Sequence, residues 1–308
     1  MAAQVALAVA VQAGQAGDFG GVTGDDQDYV LLNIFILLPA GIIATPIGWI
    51  IPGIVAAIVN AIASKSGTPA SQSHQGFDAD REFPADWASK LYEGRASYRI
   101  TSPIDVADGC YRGFSNVLPP REDVFRAFHL TPLETVRAVI IGQDPYPRLG
   151  DANGLAFSQD GTVEPGSSLA KIFSNLEADP HITFSHPRNG DLTAWARQGV
   201  LLMNTSLTTT EGNPRAHISR WREFSDAVVK VVRDKKESVV FICFGREAVD
   251  LVTRNLDSSG RHHIIAVAHP AAHILAHSSL PSLTVSRPFS EANAFLLERN
   301  RSPIDWQL

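Results

Sequence analysis

Four apolar runs rich in β-branched residues follow one another after residue 130, and they restrict the fold more than any other feature of the sequence. They are Val136–Ile141, Val200–Met203, Ser238–Phe244 and His263–Ala268. Helical patterns alternate with these runs, at Ser168–Ala178, Leu192–Gln198, Arg220–Lys235 and Arg246–Leu256. Strands that alternate with helices are typical of a parallel sheet covered on both faces. The sequence therefore predicts a three-layer α/β/α domain around a central, mostly parallel four-stranded sheet.

Each apolar run ends in polar residues. In chain order these are Gln143 and Asp144, then Asn204, Arg246 and His269. Ligands of open parallel sheets bind just beyond the carboxyl ends of the strands. Any one of these residues, taken alone, is more readily explained as a cap or turn residue, because short motifs have a high false-positive rate. Their recurrence at successive strand ends indicates a functional site.

Cysteine content and charge limit the class of protein. The only two cysteines, Cys110 and Cys243, are too few for a disulfide framework, a four-cysteine zinc site or a four-cysteine iron–sulfur site. A reduced, cytoplasmic protein is the default for such cysteine usage. The net charge of −6 disfavours nucleic-acid binding in bulk, although a local basic patch can coexist with an acidic whole.

The N-terminal part has a different composition. Residues 29–64 include no Asp, Glu, Lys or Arg, and this length suffices to cross a bilayer, which takes about 20 apolar residues. Pro39, Pro46 and Pro52 would kink or break a simple helix. Three interpretations stay open: a membrane contact through residues 30–63, an apolar hairpin, and upstream sequence joined to the gene in error.

A linker rich in Ser, Gly and Gln follows this apolar stretch. We therefore expect an N-terminal extension over residues 1–75 and the α/β domain over residues 76–308. If the extension inserts in a membrane, Lys65 on its C-terminal side favours a cytoplasmic location for the domain.

The strand ends carry motifs that resemble those of the main uracil-DNA glycosylase family. GQDPYP looks like the family's GQDPYH water-activating motif, GLAFS like its base-stacking segment, LLMNTSLT like its LLLNT strand end, and AHP like the start of its HPSPLS loop. They occupy residues 142–147, 154–158, 201–208 and 268–270. The resemblance extends from about Phe83 to Leu308 with matching order and spacing, which is far more specific than a lone motif. Residues 1–75 have no counterpart in it.

The resemblance implies an enzyme that flips uracil out of DNA and hydrolyses its N-glycosidic bond. Its implied catalytic residues are Asp144, which stabilises the sugar cation and positions water, and His269, which stabilises charge on uracil O2. The residues implied to bind uracil are Gln143 through its backbone, Tyr146 against the C5 position, Phe157 by stacking, and Asn204 through O4 and N3–H. No metal or cofactor is implied.

DNA contacts are implied at Ser168, Arg246, Pro270, Ala271, His273 and Leu275, and several of these depart from the family pattern. Arg246 and Ala271 replace family serines, and His273 stands where the family has an intercalating leucine. The loop after His269 is also a few residues longer, so Ile274, Leu275 or Leu280 could supply the apolar wedge. Pro147 replaces the family histidine after the tyrosine. These changes concern the grip on DNA more than the uracil pocket.

The expected partner is uracil-containing DNA, single- or double-stranded, bound by a monomer. His277 competes with His269 as the catalytic histidine, but His269 directly follows a strand and precedes Pro270, which favours it. Two other functions compete with this one: a glycosylase for another deaminated base, and a catalytically weakened binder of uracil-DNA. Intact Tyr146, Phe157 and Asn204 oppose the first, and intact Asp144 opposes the second.

Overall fold

The computed structural model of the chain describes residues 35–38, 41–44, 83–92, 98, 100–271 and 279–308. The strands are β1 (Phe35–Leu38), β2 (Gly41–Ala44), β3 (Val117–Leu118), β4 (Ala138–Gly142), β5 (Val200–Asn204), β6 (Thr209–Thr210), β7 (Val240–Phe244) and β8 (His263–Val267). The α-helices are α1 (Ala85–Tyr92), α2 (Pro103–Gly113), α3 (Arg126–Leu130), α4 (Ser168–Glu177), α5 (Thr193–Arg197), α6 (Ile218–Arg233), α7 (Arg246–Thr253) and α8 (Pro288–Glu298). Among the described residues, no helix combines the length and apolar character that a membrane span needs.

Two compact units divide the chain, Met1–His74 and Gln75–Leu308. In the first unit β1 and β2 pair antiparallel, with Phe35 opposite Ala44 and Leu38 opposite Gly41. The other residues of this unit lie outside the described part of the chain. The choice between a membrane anchor, an apolar hairpin and misjoined sequence depends on those residues and stays open. The boundary and role of the N-terminal extension stay a prediction.

The second unit is built on a four-stranded sheet in the order β5-β4-β7-β8. All three strand pairs are parallel, which confirms the predicted central parallel sheet. The observed strand bounds lie within two residues of the predicted ones. Register brings the strand ends level, because Gly142 pairs with Asn204 and Phe244 pairs with Val267.

Burial explains why these runs form the sheet. Every residue of β4, β5 and β7 is buried, whereas β8, at an edge, is partly buried. Continuous apolar runs are typical of parallel strands covered on both faces. Helices α3 and α5 pack against β5, and α7 and α8 pack against β7. All four predicted helices form, as α4 to α7, and two of them, α5 and α7, pack against the sheet.

A small antiparallel pair outside the central sheet was not predicted. Strands β3 and β6 pair Val117 with Thr210 and Leu118 with Thr209. Two-residue strands leave no periodic signal in a sequence, since alternation needs at least about four residues to be seen. The pair matters because β6 begins with Thr209, which approaches the carboxyl end of β4 at the site described next.

Candidate active site

The carboxyl ends of β4, β5 and β8 open onto one cavity. Its volume is about 260 Å³. The predicted site residues that line it are Gln143, Asp144, Tyr146, Phe157, Ser168, Asn204, His269 and Ala271. The chain reverses its direction of travel across the sheet between β4 and β7, and ligands of open α/β sheets bind outside the strand ends at such a point.

Two other predicted residues, Arg246 and Pro270, are described but are not among the residues that line this cavity. Arg246 is exposed on the first turn of α7, where its Nη2 donates a hydrogen bond to Ser279 Oγ at 3.3 Å. Pro270 is buried beside His269. His273 and Leu275 lie outside the described residues, as do Ile274 and the competing His277.

The Asp144 carboxylate is held by polar groups on both of its oxygens. Its Oδ1 accepts a hydrogen bond from Gln143 Nε2 at 2.9 Å. Its Oδ2 accepts from the backbone N–H of Arg215 and lies 3.4 Å from Thr209 Oγ1. The sequence did not single out Thr209 or Arg215, which are 65 and 71 residues away along the chain. The carboxylate therefore has a fixed orientation at the cavity wall.

Phe157 and Tyr146 form one locked unit. Phe157 has a left-handed backbone with φ 64°, which is uncommon for a bulky residue and requires support. The Tyr146 hydroxyl donates to the Phe157 carbonyl at 3.0 Å. Burial raises the pKa of Tyr146, so the phenol stays protonated and remains a donor. Phe244 packs edge-on against the Phe157 ring with centroids 5.1 Å apart, which leaves little freedom for that ring to turn.

A missing side chain at Gly142 makes room for the amide of Asn204. A Cβ at Gly142 would lie 2.4 Å from Asn204 Oδ1 and 3.2 Å from the Phe157 ring. A side chain at Gly142 would displace the amide, so glycine at the end of β4 keeps the Asn204 amide in its observed position. Within the part of the chain that the structure describes, the Asn204 amide has no hydrogen-bond partner. Its donor and acceptor are thus available to a ligand in the cavity.

His269 presents a neutral imidazole to the cavity. Burial lowers its pKa, and this outweighs the opposing effect of the Asp144 and Glu247 carboxylates. Its Nδ1 accepts a hydrogen bond from the Ala271 backbone N–H at 3.1 Å. A neutral imidazole has one N–H, so this bond assigns the hydrogen to Nε2. His269 can therefore donate a hydrogen bond without carrying a charge.

Close backbone packing fixes the position of His269 as well. Gly245 follows β7 with φ 93°, and a Cβ there would lie 3.2 Å from His269 Cβ. The Lys171 ammonium of α4 donates to the Pro270 carbonyl at 2.9 Å. Lys171 is a further residue that the sequence did not single out, because its contact is to a backbone atom 99 positions away.

The described residues contain no group of three or more His, Cys, Asp or Glu side chains arranged to hold a metal ion. The two cysteines are buried and are not among the residues that line the cavity. What the cavity offers is a carboxylate, a free amide, a neutral imidazole and an aromatic face. This set can bind a planar heterocycle with polar edges and stabilise opposite charges at its two sides.

Comparisons with known proteins agree on one family. The family model described as the Uracil DNA glycosylase superfamily matches residues 128–297. A uracil-DNA glycosylase of Anoxybacillus flavithermus is 42% identical over 224 residues, which are 72% of this chain and 96% of that protein. A uracil-DNA glycosylase of Deinococcus deserti is 39% identical over 231 residues, 73% of this chain and 88% of that protein.

A solved structure is similar as well. The crystal structure of mimivirus uracil-DNA glycosylase matches with a TM-score of 0.58 and 27% sequence identity. The match covers 63% of this chain and 75% of that chain. Sequence and fold thus identify the same family, and the matched residues 128–297 contain all of the lining residues named above.

Proposed function

The chain belongs to the uracil-DNA glycosylase superfamily, and on that premise we propose that it hydrolyses the N-glycosidic bond of uracil in DNA and leaves an abasic site. The observation that carries the proposal is the single cavity that Asp144, Asn204, His269 and the locked ring of Phe157 line together. This is an enzyme of base excision repair, a hydrolase whose substrate is uracil-containing DNA.

The base must leave the helix to reach such a cavity. A base inside a duplex is inaccessible, so enzymes that act on it extrude the nucleotide into a pocket. Phe157 would stack on the extruded pyrimidine. Its ring packs against Phe244, and its backbone carbonyl accepts a hydrogen bond from Tyr146. We propose that this preformed surface replaces the stacking lost in the helix.

Asn204 is proposed to separate uracil from cytosine. Its amide can donate to uracil O4 and accept from N3–H, and it has no competing partner among the described residues. Cytosine presents a donor at C4 and an acceptor at N3, so both hydrogen bonds would be mispaired. A site that leaves buried polar groups unpaired rejects the wrong ligand strongly.

Tyr146 is proposed to separate uracil from thymine. Thymine differs by one methyl group at C5, and binding in an apolar pocket distinguishes one methyl by only about 1–3 kcal/mol. A steric clash between the methyl group and a ring that cannot move discriminates between the two bases more strongly. The hydrogen bond from Tyr146 to the Phe157 carbonyl, together with burial of the ring, supports such rigidity.

Bond cleavage would develop charge at two points. The C1′–N1 bond breaks with its electron pair moving to uracil, and the sugar becomes cationic. A water oxygen then bonds to C1′, and a proton of that water passes to Asp144. Asp144 is the anion that stabilises the sugar, as in other glycoside cleavage. The Nε2–H of His269 would donate to uracil O2 as it becomes negative. Gln143 would contact the uracil edge through its backbone, since its side-chain amide is bound to Asp144.

The grip on DNA is proposed to come from the rim of the cavity. Ser168 begins α4 and Arg246 begins α7, and helix N-termini favour phosphate groups. Pro270 and Ala271 follow His269 in the same loop, with His273 and Leu275 further along. We propose that the protein acts as a cytoplasmic monomer on single- or double-stranded DNA, with membrane contact through residues 30–63 a less favoured arrangement.

A truncation tests the domain division. Removal of residues 1–75 should leave the excision rate within about twofold, because the site residues all belong to the second unit. An inactive truncated protein would show that the extension is part of the working fold.

The test of the proposed function is a product analysis. The wild-type chain is incubated with single- and double-stranded oligonucleotides that contain one uracil, and free uracil and abasic sites are measured. Both should appear in equal amounts and without strand breakage. Binding without release of uracil would favour the non-catalytic binder, and release of another deaminated base in preference to uracil would favour a shifted substrate.

A further inference from the structure

Support for the outer oxygen of Asp144 comes from one loop, residues 208–217. Two groups of this loop approach Oδ2: the hydroxyl of Thr209 at 3.4 Å and the backbone N–H of Arg215. The Thr209 hydroxyl has a single hydrogen, and its shorter contact is to the Asn213 carbonyl at 2.9 Å. The Arg215 N–H is therefore the principal donor to Oδ2 among the described residues.

The Arg215 backbone has an unfavourable conformation in the position from which its N–H donates to Asp144. Its φ is 72°, in the left-handed region that side chains other than glycine disfavour. A residue keeps such a conformation when surrounding contacts impose it.

Contacts on two sides of the loop hold Arg215 in this conformation. The buried His217 ring bridges the loop's ends, with Nδ1 2.8 Å from Thr208 Oγ1 and Nε2 3.3 Å from Thr210 Oγ1. On the other side, the Arg215 guanidinium forms an ion pair with Glu247 Oε1. Glu247 lies in the first turn of α7, where a negative charge is favourable. The Arg215 backbone N–H is thus held from two sides. His217 ties the loop together next to the β3–β6 pair, and Glu247 of α7 holds the Arg215 side chain.

We propose that Arg215 is a positioning residue for Asp144, which acts through its backbone N–H and is held in its left-handed conformation by the ion pair with Glu247. The inference rests on the proposed function, since it assigns a role in the same reaction. The alternative role for Arg215 is a direct contact of its guanidinium with a DNA phosphate.

The experiment compares Arg215→Met and Glu247→Gln, singly and together, in the wild-type and in the Asp144→Asn background. Single-turnover excision and KM are measured at pH 8, where His269 is neutral with or without the Glu247 charge. Each single variant should lose about tenfold in rate with little change in KM, because small misplacements of a reacting group are costly. The double variant should lose no more than one single variant, and Arg215→Lys should recover most of the loss.

The decisive arm is the Asp144→Asn background. If Arg215 acts through the carboxylate, Arg215→Met should cause no further loss once the carboxylate is gone. The matched control is the ion pair of Arg254 with Asp226, at the far end of α7, with 2.7 Å between Nη2 and Oδ1. Arg254→Met should leave the rate unchanged.

Three results would overturn the inference. A tenfold loss that persists in Asp144→Asn would show a general structural role, and a higher KM with a weaker salt dependence would show a phosphate contact. Unchanged activity in Arg215→Met would show no role at all. A wild-type protein that releases no uracil would instead contradict the proposed function, so the two failures are distinguishable.

Discussion

The wall of the cavity and its rim are held by different means. Wall residues such as Asp144 and His269 follow strands directly, and backbone groups fix their orientation. At the rim, Arg246 is exposed, and its described side-chain contact is one hydrogen bond of 3.3 Å to Ser279. Of the positions that depart from the family pattern, Arg246 lies at the rim, whereas Pro147 and Ala271 line the cavity itself. The sheet thus positions the groups proposed to do the chemistry, whereas the proposed grip on DNA depends on side chains that can change without disturbing the sheet.

The largest effect should follow from the wall carboxylate. Asp144→Asn should lower the single-turnover excision rate by about 100- to 1000-fold, the usual loss of one preorganised electrostatic group. Binding of uracil-DNA should survive, because the amide keeps the shape and the cavity keeps its stacking ring. Asp250→Asn, an exposed position on α7, is the control. A rate near that of the wild type would mean that the wall does not carry the chemistry.

His269→Ala should come next, with a loss of roughly 100-fold in rate, typical of one lost donor to a developing anion. His263→Ala is the matched control, since His263 lies at the amino end of β8 and His269 follows its carboxyl end. It should leave the rate unchanged. A loss that appears only in KM would assign His269 to DNA binding instead.

The pH dependence sharpens this assignment. Burial lowers the pKa of His269 from its usual value of about 6.5, so protonation requires a lower pH and the ring is neutral from pH 7 upward. The rate should therefore not decrease between pH 7 and pH 8.5. An essential imidazolium would give the opposite sign, with a rate that falls by about tenfold for each unit of pH above its pKa.

A smaller effect on uracil, but a change in specificity, is expected from the two discriminating side chains. Asn204→Asp should lose roughly tenfold on uracil and admit cytosine, because a protonated carboxyl offers a different donor pattern. Tyr146→Ala should admit thymine. Abasic sites are counted on oligonucleotides with cytosine or thymine at the test position. Variants that remain specific for uracil would refute the assignment of these two residues.

The smallest effect should come from the rim. Arg246→Ala should raise KM by a few-fold, leave the single-turnover rate at saturation unchanged, and reduce the slope of log affinity against log salt by about 1. Arg254→Ala is the control, because Arg254 lies about 12 Å further along the same helix. A loss in rate as large as that of His269→Ala would remove the distinction between wall and rim.

The sequence predicts the wall better than its supports. Apolar runs that end in polar residues are a local signal, and they predicted the parallel sheet and the clustering of Asp144, Asn204 and His269. The support from Arg215 joins residues 71 positions apart through a backbone N–H, which any residue type except proline could provide. No local pattern encodes such a contact. The left-handed backbone of Phe157 is likewise set by its surroundings and not by its residue type.

The most direct test of the account is the discrimination of the wild-type chain between uracil, cytosine and thymine at one position of the same oligonucleotide. Abasic sites are measured under single-turnover conditions with enzyme in excess, so that differences in DNA binding do not limit the comparison. We expect abasic sites with uracil and none above background with the other two bases. Comparable cleavage of thymine or cytosine, or none of uracil, would contradict it.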